Sequence, residues 1–384
     1  MREVELGEIA EVFGGYAFKS KDFNETSGVP VIKISNIQDG EVSKKTLKEY
    51  LPENYLDDYE NYQIRRGDIL VALSGATTGK TGVYNLDSKS LLNQRVGLVR
   101  AKDGQAEQKY LSYYVSKITD DILNKAQGVA QPNISTKELA KFEIPLPSLS
   151  EQKAIVAKLD RAQRLIDIDQ EMLAKYDELI QSVFLEMFGE GDGEKVSLSK
   201  LVKLNPRKSE ISDIDKSIEA SFLGMADVGE NGSLDLSEVQ TVEESWSGYT
   251  YFKEGDVLFA KITPCMENGK GAIAKGLRNG LGFGSTEFHV LRPIEGVSRA
   301  TWIYHLSHSD KFRKIAESFM TGSAGQKRVP THFFDRFKVI KPSIDNQIRF
   351  EEIANEISAD KKKLRQQIKK SEELFSSLVQ GEFG

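Results

Sequence analysis

The 384-residue sequence predicts an α+β protein. It reads as two similar mixed α/β domains separated by two long helices that form an antiparallel coiled coil, a pseudo-two-fold internal duplication. Three observations predict this. The two halves align at a nearly constant offset. Each half opens on short apolar runs broken by glycine. Each half closes on a long stretch with heptad spacing. The expected boundaries are a first domain at 1–147, a central spacer helix at 148–190, a second domain at 191–342 and a C-terminal spacer helix at 343–384.

The duplication is read directly from aligned segments. VELGEIAEV at 4–12 matches VSLSKLVKL at 196–204, and PVIKISNI at 30–37 matches SFLGMADV at 221–228. RRGDILVA at 65–72 matches KEGDVLFA at 253–260. QGVAQPNIST at 127–136 matches TGSAGQKRVPT at 321–331 with one inserted glycine. KFEIPLPSLSEQ at 141–152 matches RFKVIKPSIDNQ at 336–347, and the halves end on MFG and EFG.

Within each copy, runs such as VPVIKIS, GDILVAL and VGLVR, or GDVLFAKI and FHVLRP, are short, apolar and bounded by turn residues, so they read as strands. QKYLSYYVSKI and TWIYHLSHSDKFRKIAES read as helices. Pro145 and Pro147 break the chain before the first long helix. Ser150 is the expected N-cap of a helix starting at Glu151, whose charge suits a first turn. Ile155, Leu159, Ala162, Ile166, Leu173, Tyr176, Ile180, Val183 and Met187 then follow at alternating spacings of four and three, broken only by Asp169. The second copy supplies Phe350, Ala354, Ile357, Leu364, Ile368, Phe375 and Leu378, with Lys361 and Ser371 as weak points. A helix from 151 to 188 would be roughly 57 Å long, so a pair would be a rigid spacer between two domains.

Composition excludes several classes. There is one cysteine, Cys265, so no disulfide framework can form within the chain. The start, MREVELGEIA, lacks an apolar signal core, and no run approaches a membrane span. A cytoplasmic protein without membrane association is expected. The net charge of −6 is unevenly placed. Residues 195–342 hold 21 Lys+Arg against 18 Asp+Glu, whereas residues 151–194 hold 5 against 11. The acidity lies in one helical segment and leaves room for a basic face elsewhere.

Enzyme motifs fail one after another. SGATTGKT, at 74–81, differs from a phosphate-binding loop only at its first position, but strand-like residues follow Lys80 where a helix N-terminus is required. Its partner copy, KITPCMENGKGAI at 261–273, keeps only Gly269 and Lys270. A loop presenting Lys80 and Lys270 is expected instead of a nucleotide site. Asn205-Pro206-Arg207 lacks the second proline and the aromatic residue of an adenine-methylating motif. Asp256 and Lys261 suggest a nuclease, but Leu73 stands at the position matching Lys261. His289, His305, His308 and His332 have no thiolate pair and no counterpart in the first domain, so no metal site and no catalytic residue is expected.

The chain as a whole resembles the specificity (S) subunit of type I restriction-modification enzymes. IPLPSLSEQKAIVAKLD at 144–160 is similar to that family's entry into its central spacer helix, supported by GDIL at 67–70, QPNIS at 131–135 and the duplicated layout. The second copy departs from it, with the first proline lost and Asn346 in place of Glu151. The resemblance implies two target recognition domains on double-stranded DNA, each reading one half of a bipartite target. It implies no catalysis and no cofactor in this chain. S-adenosylmethionine and ATP are expected on partner subunits: two methyltransferase subunits, and restriction subunits in the full complex. Two alternatives stay open: the specificity subunit of a related enzyme whose single partner carries both nuclease and methylase, and a duplicated adaptor that binds no DNA.

Short hydroxyl, amide and basic side chains on loops suit phosphate and base-edge contacts. In the first domain the candidate DNA-binding residues are Lys33, Ser35, Asn36, Ser74, Thr77, Thr78, Lys80, Asn93, Gln94, Arg95, Gln131 and Asn133. In the second they are Asn268, Lys270, Ser285, Thr286, Gln326, Lys327 and Arg328. The loops differ between copies, TTGK against MENGK, NQR against STE and QPN against QKR. An asymmetric target is therefore expected.

Overall fold

In the computed structural model, the two halves of the chain build the same strand order from different residues. The structure describes residues 2–24, 26–38, 40–126, 133–189, 193–323 and 325–384, with backbone alone at 120 and 124–126. The chain divides into two units, Met1–Gln170 with Gln367–Gly384, and Glu171–Gln366. Each unit holds one α/β domain and a segment of each long helix, so the helices are shared out between the units.

Unit 1 contains β1 (Glu3–Glu5), β2 (Ala10–Gly14), β3 (Val29–Ile32), β4 (Ile37–Gln38), β5 (Gly40–Val42), β6 (Tyr50–Leu51), β7 (Gln63–Ile64), β8 (Ile69–Ala72), β9 (Thr81–Val83), β10 (Ser90–Leu92), β11 (Val96–Ala101) and β12 (Glu143–Pro145). Its main helices are α1 (Gln108–Lys117) and α2 (Thr119–Ala126), followed by the start of α3 (Leu149–Phe188). The sheets run β2-β11-β8-β9-β5-β4, β6-β3-β10-β7 and β1-β12.

Unit 2 contains β13 (Lys195–Ser197), β14 (Val202–Leu204), β15 (Glu219–Leu223), β16 (Val239–Thr241), β17 (Thr250–Lys253), β18 (Val257–Ala260), β19 (Gly271–Ile273), β20 (Leu281–Gly284), β21 (Phe288–Pro293) and β22 (Lys338–Ile340). Helices α4 (Ala300–His308) and α5 (Asp310–Phe319) follow β21, and α6 (Ile344–Phe383) closes the chain. The sheets run β14-β21-β18-β19, β16-β15-β20-β17 and β13-β22. These repeat the strand order of unit 1 except for β5 and β4, which extend the larger sheet in unit 1 only. The parallel pairing inside the smaller sheet recurs: β3 with β10, Val31 opposite Leu91, and β15 with β20, Phe222 opposite Phe283.

The strands β8 (ILVA) and β18 (VLFA) are buried along their whole length, as a central strand covered on both faces must be. The glycine-aspartate step ahead of each is structural. Gly67 and Gly255 sit at φ +91° and +85°, a region where a side chain is strained. The next residue turns inward. Asp68 accepts from the Arg65 N–H (2.6 Å) and receives Arg100 Nε (2.8 Å) and Nη2 (2.6 Å). Asp256 accepts from the Lys253 N–H (2.9 Å) and receives Arg292 Nε and Nη2, both at 2.7 Å. The same bidentate pair pins β8 to β11 and β18 to β21.

Helix α3 starts two residues earlier than the sequence predicts, and Ser148 replaces Ser150 as the cap. The reason is a reciprocal capping box. Ser148 Oγ accepts from the Glu151 N–H (3.3 Å), and Glu151 Oε2 accepts from the Ser148 N–H (2.8 Å). These bonds hold the Glu151 carboxyl below its usual range. One residue on, Gln152 is fully buried; its Oε1 accepts from the Glu107 N–H (2.8 Å) and its Nε2 donates to the Pro147 carbonyl (2.9 Å). Gln347 repeats this with the Arg299 N–H (2.8 Å) and the Val297 carbonyl (3.0 Å). A buried amide thus ties each long helix to the start of α1 or α4.

The predicted seam forms in both units, and the helix segments run antiparallel in each. In unit 1, Ile155 and Leu159 enter the domain core together with Phe375, Leu378 and Phe383, while Ile166 and Ile368 are buried. Lys158 meets Glu382 (2.7 Å) and Asp169 accepts from Gln367 Nε2 (2.9 Å). In unit 2, Phe184 packs edge-on against Phe350 (5.3 Å), Ile357 and Leu364 are buried, and Leu173 and Ile180 are half-buried. Two of the three polar interruptions are not defects. Asp169 is filled by Gln367, and Lys361 pairs with Asp177. Among the described residues, no helix is long and apolar enough to cross a membrane.

Candidate nucleic-acid interface

Beyond the C-terminal ends of β3, β8 and β10, backbone bonds draw several loops into one patch. Leu73 N–H donates to the Arg95 carbonyl (3.0 Å), Ile134 N–H to Leu73 (2.9 Å), Asn93 N–H to Ile32 (3.1 Å) and Gln94 N–H to Tyr16 (3.0 Å). Ser74 bridges to Asn133. Loops predicted separately from the sequence, around 33–36, 74–80, 93–95 and 133, are therefore neighbours. Gln131 lies outside the described residues.

Unit 2 builds the same patch with three of these bonds and the same bridge. Lys261 N–H donates to Glu287 (2.9 Å), Val329 N–H to Lys261 (2.9 Å) and Ser285 N–H to Leu223 (3.0 Å), and Ile262 bridges to Arg328. The correspondence is residue by residue: Asn93 with Ser285, Gln94 with Thr286, Arg95 with Glu287, Asn133 with Arg328. The scaffold is constant and its side chains are not.

The side chains divide into two sets. Ser35, Lys80, Gln94, Arg95 and Asn133 are exposed in unit 1, as are Asn268, Thr286, Gln326 and Lys327 in unit 2. Ser74, Asn93 and Ser285 are half-buried beside them. Four predicted readers are instead used by the fold. Asn36 is buried; its Oδ1 accepts from the Lys33 N–H (2.7 Å) and its Nδ2 donates to the Thr46 carbonyl (2.8 Å). Thr78 is buried and donates to the Gly75 carbonyl (2.7 Å). Lys270 donates to the Met225 carbonyl (3.0 Å). Lys33 pairs with Glu49 and lies over the Phe23 ring (4.7 Å). Thr77 is half-buried, with its hydroxyl turned away from solvent. Arg328 is gripped by Glu287 through Nε (2.9 Å) and Nη2 (2.8 Å). That grip holds the Glu287 carboxyl below its usual range, while burial lowers the neighbouring Lys261 ammonium.

The Gly-Lys pair shared by the two copies has a backbone explanation. Gly79 and Gly269 sit at φ +87° and +77°, and a Cβ on Gly79 would stand 2.9 Å from the Thr119 carbonyl. Strand β9 or β19 begins directly after the lysine, where a phosphate-binding loop requires the helix to begin. The two lysines are equivalent in place but not in role: Lys80 is exposed, Lys270 is bonded.

The nuclease candidate Asp256 is 1% exposed and committed to Arg292. Among the described residues no group of three metal-ligating side chains is assembled. Burial pushes His289 and His308 down to about 4 and His305 down to about 3, the mark of packed neutral imidazoles.

One feature of the patch escaped the sequence reading. Tyr16 is 38% exposed beside Gln94, with its ring against Tyr59 (4.7 Å), Phe18 (5.2 Å) and Tyr62 (5.4 Å). The signal was present as Tyr55, Tyr59 and Tyr62 at spacings of four and three, together with Tyr16 and Phe18.

Comparison with known proteins agrees with this geometry. The family model described as "Type I restriction modification DNA specificity domain" matches residues 1–175. The EcoAI specificity subunit of Escherichia coli is 39% identical over 156 residues, 41% of this chain and 26% of that protein. The EcoEI specificity subunit of Escherichia coli is 41% identical over 158 residues, with the same coverage. The MjaVIII specificity subunit of Methanocaldococcus jannaschii is 34% identical over 191 residues, 47% of this chain and 44% of that protein. The chain thus spans about a quarter to under half of the length of these relatives. Among solved structures, a chain described under "Structural basis underlying complex assembly and conformational transition of the type I R-M system" superposes with a TM-score of 0.60 at 18% identity, covering 99% of this chain and 96% of that one. The type I S subunit of M. genitalium superposes with a TM-score of 0.51 at 13% identity, covering 100% and 96%. The likeness in sequence to type I restriction modification DNA specificity domains thus covers residues 1–175, and the likeness in fold extends over the whole chain.

Proposed function

We propose that this chain is the non-catalytic specificity subunit of a type I restriction-modification complex. Each unit reads one half of a bipartite, asymmetric DNA target, the long helices join the two readers, and methyltransferase subunits dock on the chain. S-adenosylmethionine and ATP would be held by the partners. The observation that carries this reading is the duplicated patch. One backbone frame is built twice with different side chains on the same positions, which suits two readers of different sequence.

The test is the methylome of a host that carries this protein and its methyltransferase partner. A split motif with unlike halves is expected; a continuous or perfectly palindromic motif would overturn the proposal.

Lys80→Ala is expected to weaken DNA binding by the assembled complex across all sequences and to lower the salt slope by about one. Assembly with the methyltransferase should be unchanged. Loss of assembly in a gel-filtration assay would make the loop structural and remove Lys80 from the interface.

A further inference from the structure

Arg328 and Glu287 form a unit that the first domain lacks, and its geometry suits a particular base. The inference rests on the DNA-reading function proposed above. Glu287 holds one edge of the guanidinium: its Oε2 accepts from Nε (2.9 Å) and its Oε1 from Nη2 (2.8 Å). The Gln326 carbonyl accepts one N–H of Nη1 (3.1 Å). Five N–H groups are available, so one on each terminal nitrogen is left over, and the side chain is 42% exposed. The backbone is fixed as well. Arg328 N–H donates to Thr321 (2.9 Å), Thr321 N–H donates to Arg328 (3.1 Å), and Ile262 bridges to it from the other side.

A carboxylate on a DNA-facing patch repels phosphate, so Glu287 needs a reason to be there. A loose arginine on a flexible stem suffices for a phosphate contact. A base edge requires a planar fork held in place, because the bidentate match to guanine N7 and O6 depends on orientation. Unit 1 shows the contrast. Its corresponding residues are Arg95 and Asn133, and Arg95 is exposed and makes no ion pair with any described residue. Each unit thus brings a guanidinium to this corner from a different loop, and among the described residues only that of unit 2 is braced by a carboxylate.

We propose that Arg328, clamped by Glu287, reads a guanine in the second half-site. Glu287 acts as a positioning residue that fixes the fork before DNA arrives.

The experiment is binding selection from a randomised double-stranded DNA library by the complex of this chain with its methyltransferase subunits. The unsubstituted complex should select a guanine at one position of one half-site. Arg328→Ala should abolish that preference, a loss of about 5- to 150-fold in discrimination, with every other position unchanged. Arg328→Lys keeps the charge and should lose the guanine preference equally. Glu287→Gln should weaken the preference at the same position, which a contact through Arg328 alone would not predict. Uniform weakening across all sequences, with the salt slope lowered by about one, would make Arg328 a phosphate contact and overturn the proposal. An unchanged preference in the lysine variant would overturn it too. If Arg328→Ala fails to assemble, the lysine and glutamine variants carry the decision. Absence of any sequence preference in the unsubstituted complex would sink the DNA-reading function itself, a different outcome from loss at one position.

Discussion

Acidification from about pH 6.5 to 4 is expected to unfold unit 2 while unit 1 stays folded. All four histidines of the chain lie in unit 2, and three are packed as neutral rings. His305 sits against Phe350 (5.1 Å), with His308 and Lys361 as its titratable neighbours. Arg313 faces His308, and Lys261 and Glu287 face His289. Their folded values of about 3, 4 and 4 lie below the unfolded value near 6.5. The unfolded chain therefore binds protons that the folded one refuses. Stability is full above about pH 6.5 and is lost as pH falls toward the folded values, by about 1.4 kcal/mol per pH unit for each histidine. Three together approach about 4 kcal/mol per pH unit, which is large beside a typical domain stability of about 5–15 kcal/mol. Glu210 and Glu287, held below the usual carboxylate range by Lys203 and Arg328, lose their stabilisation in the same direction at lower pH. The chain offers a convenient probe, because both tryptophans, Trp246 and Trp302, belong to unit 2. Urea transitions followed by tryptophan emission should move to lower urea with falling pH. His305→Phe should remove about a third of that slope. A pH-independent midpoint would sink the account.

What was legible in the sequence was whatever repeats locally. The seam at Ile155, Leu159 and Ile166, the buried run 69–72 and the glycine-led turns depend on spacing and residue type within a few positions, so one strand's worth of sequence suffices. The duplication doubles that signal, since each copy carries the same pattern in different residues. The loops fall in one neighbourhood because the strands they follow, β8 in one sheet and β3 and β10 in the other, end on the same side of unit 1. Which of their side chains face solvent was not legible. Asn36 and Gln94 are both loop amides, yet Asn36 is enclosed by Thr46, ten residues on, while Gln94 is open. Nothing within a few residues of Asn36 announces that closure. Lys80 and Lys270 align perfectly and differ because Met225, 45 residues earlier in the chain, offers a carbonyl to only one of them. The Ser148 cap was legible as a serine three residues before a glutamate. The acidic Glu151 suits either serine, but only Ser148 completes the reciprocal Ser-x-x-Glu pattern. Gln152 and Gln347 could be seen as a shared motif residue, but their purpose, bonding the start of α1 and α4, exists only after folding.

Asp256→Ala is expected to cost about 3–5 kcal/mol and to be the most damaging single change in unit 2, because it strands a buried guanidinium. Arg292 is 9% exposed, and the aspartate supplies two of its bonds at 2.7 Å. Glu210 remains as a second partner for Nη1 but is itself shared with Lys203. The substitution also removes the acceptor of the Lys253 N–H, so the turn at Gly255 loses its closure together with the ion pair. Asp68→Ala should do the same in unit 1 with a smaller loss. Arg100 is more exposed, at 16% against 9%, so water can replace part of what the carboxylate supplied. The discriminating variant is the double replacement Asp256→Leu with Arg292→Met. A buried ion pair repays its own desolvation poorly, so removing both charges should recover much of what the single change loses. Equilibrium urea midpoints, read by tryptophan emission for unit 2, decide between the two accounts. If the double variant is no more stable than Asp256→Ala, the ion pair is not the cause, and the damage comes from the lost turn at Gly255.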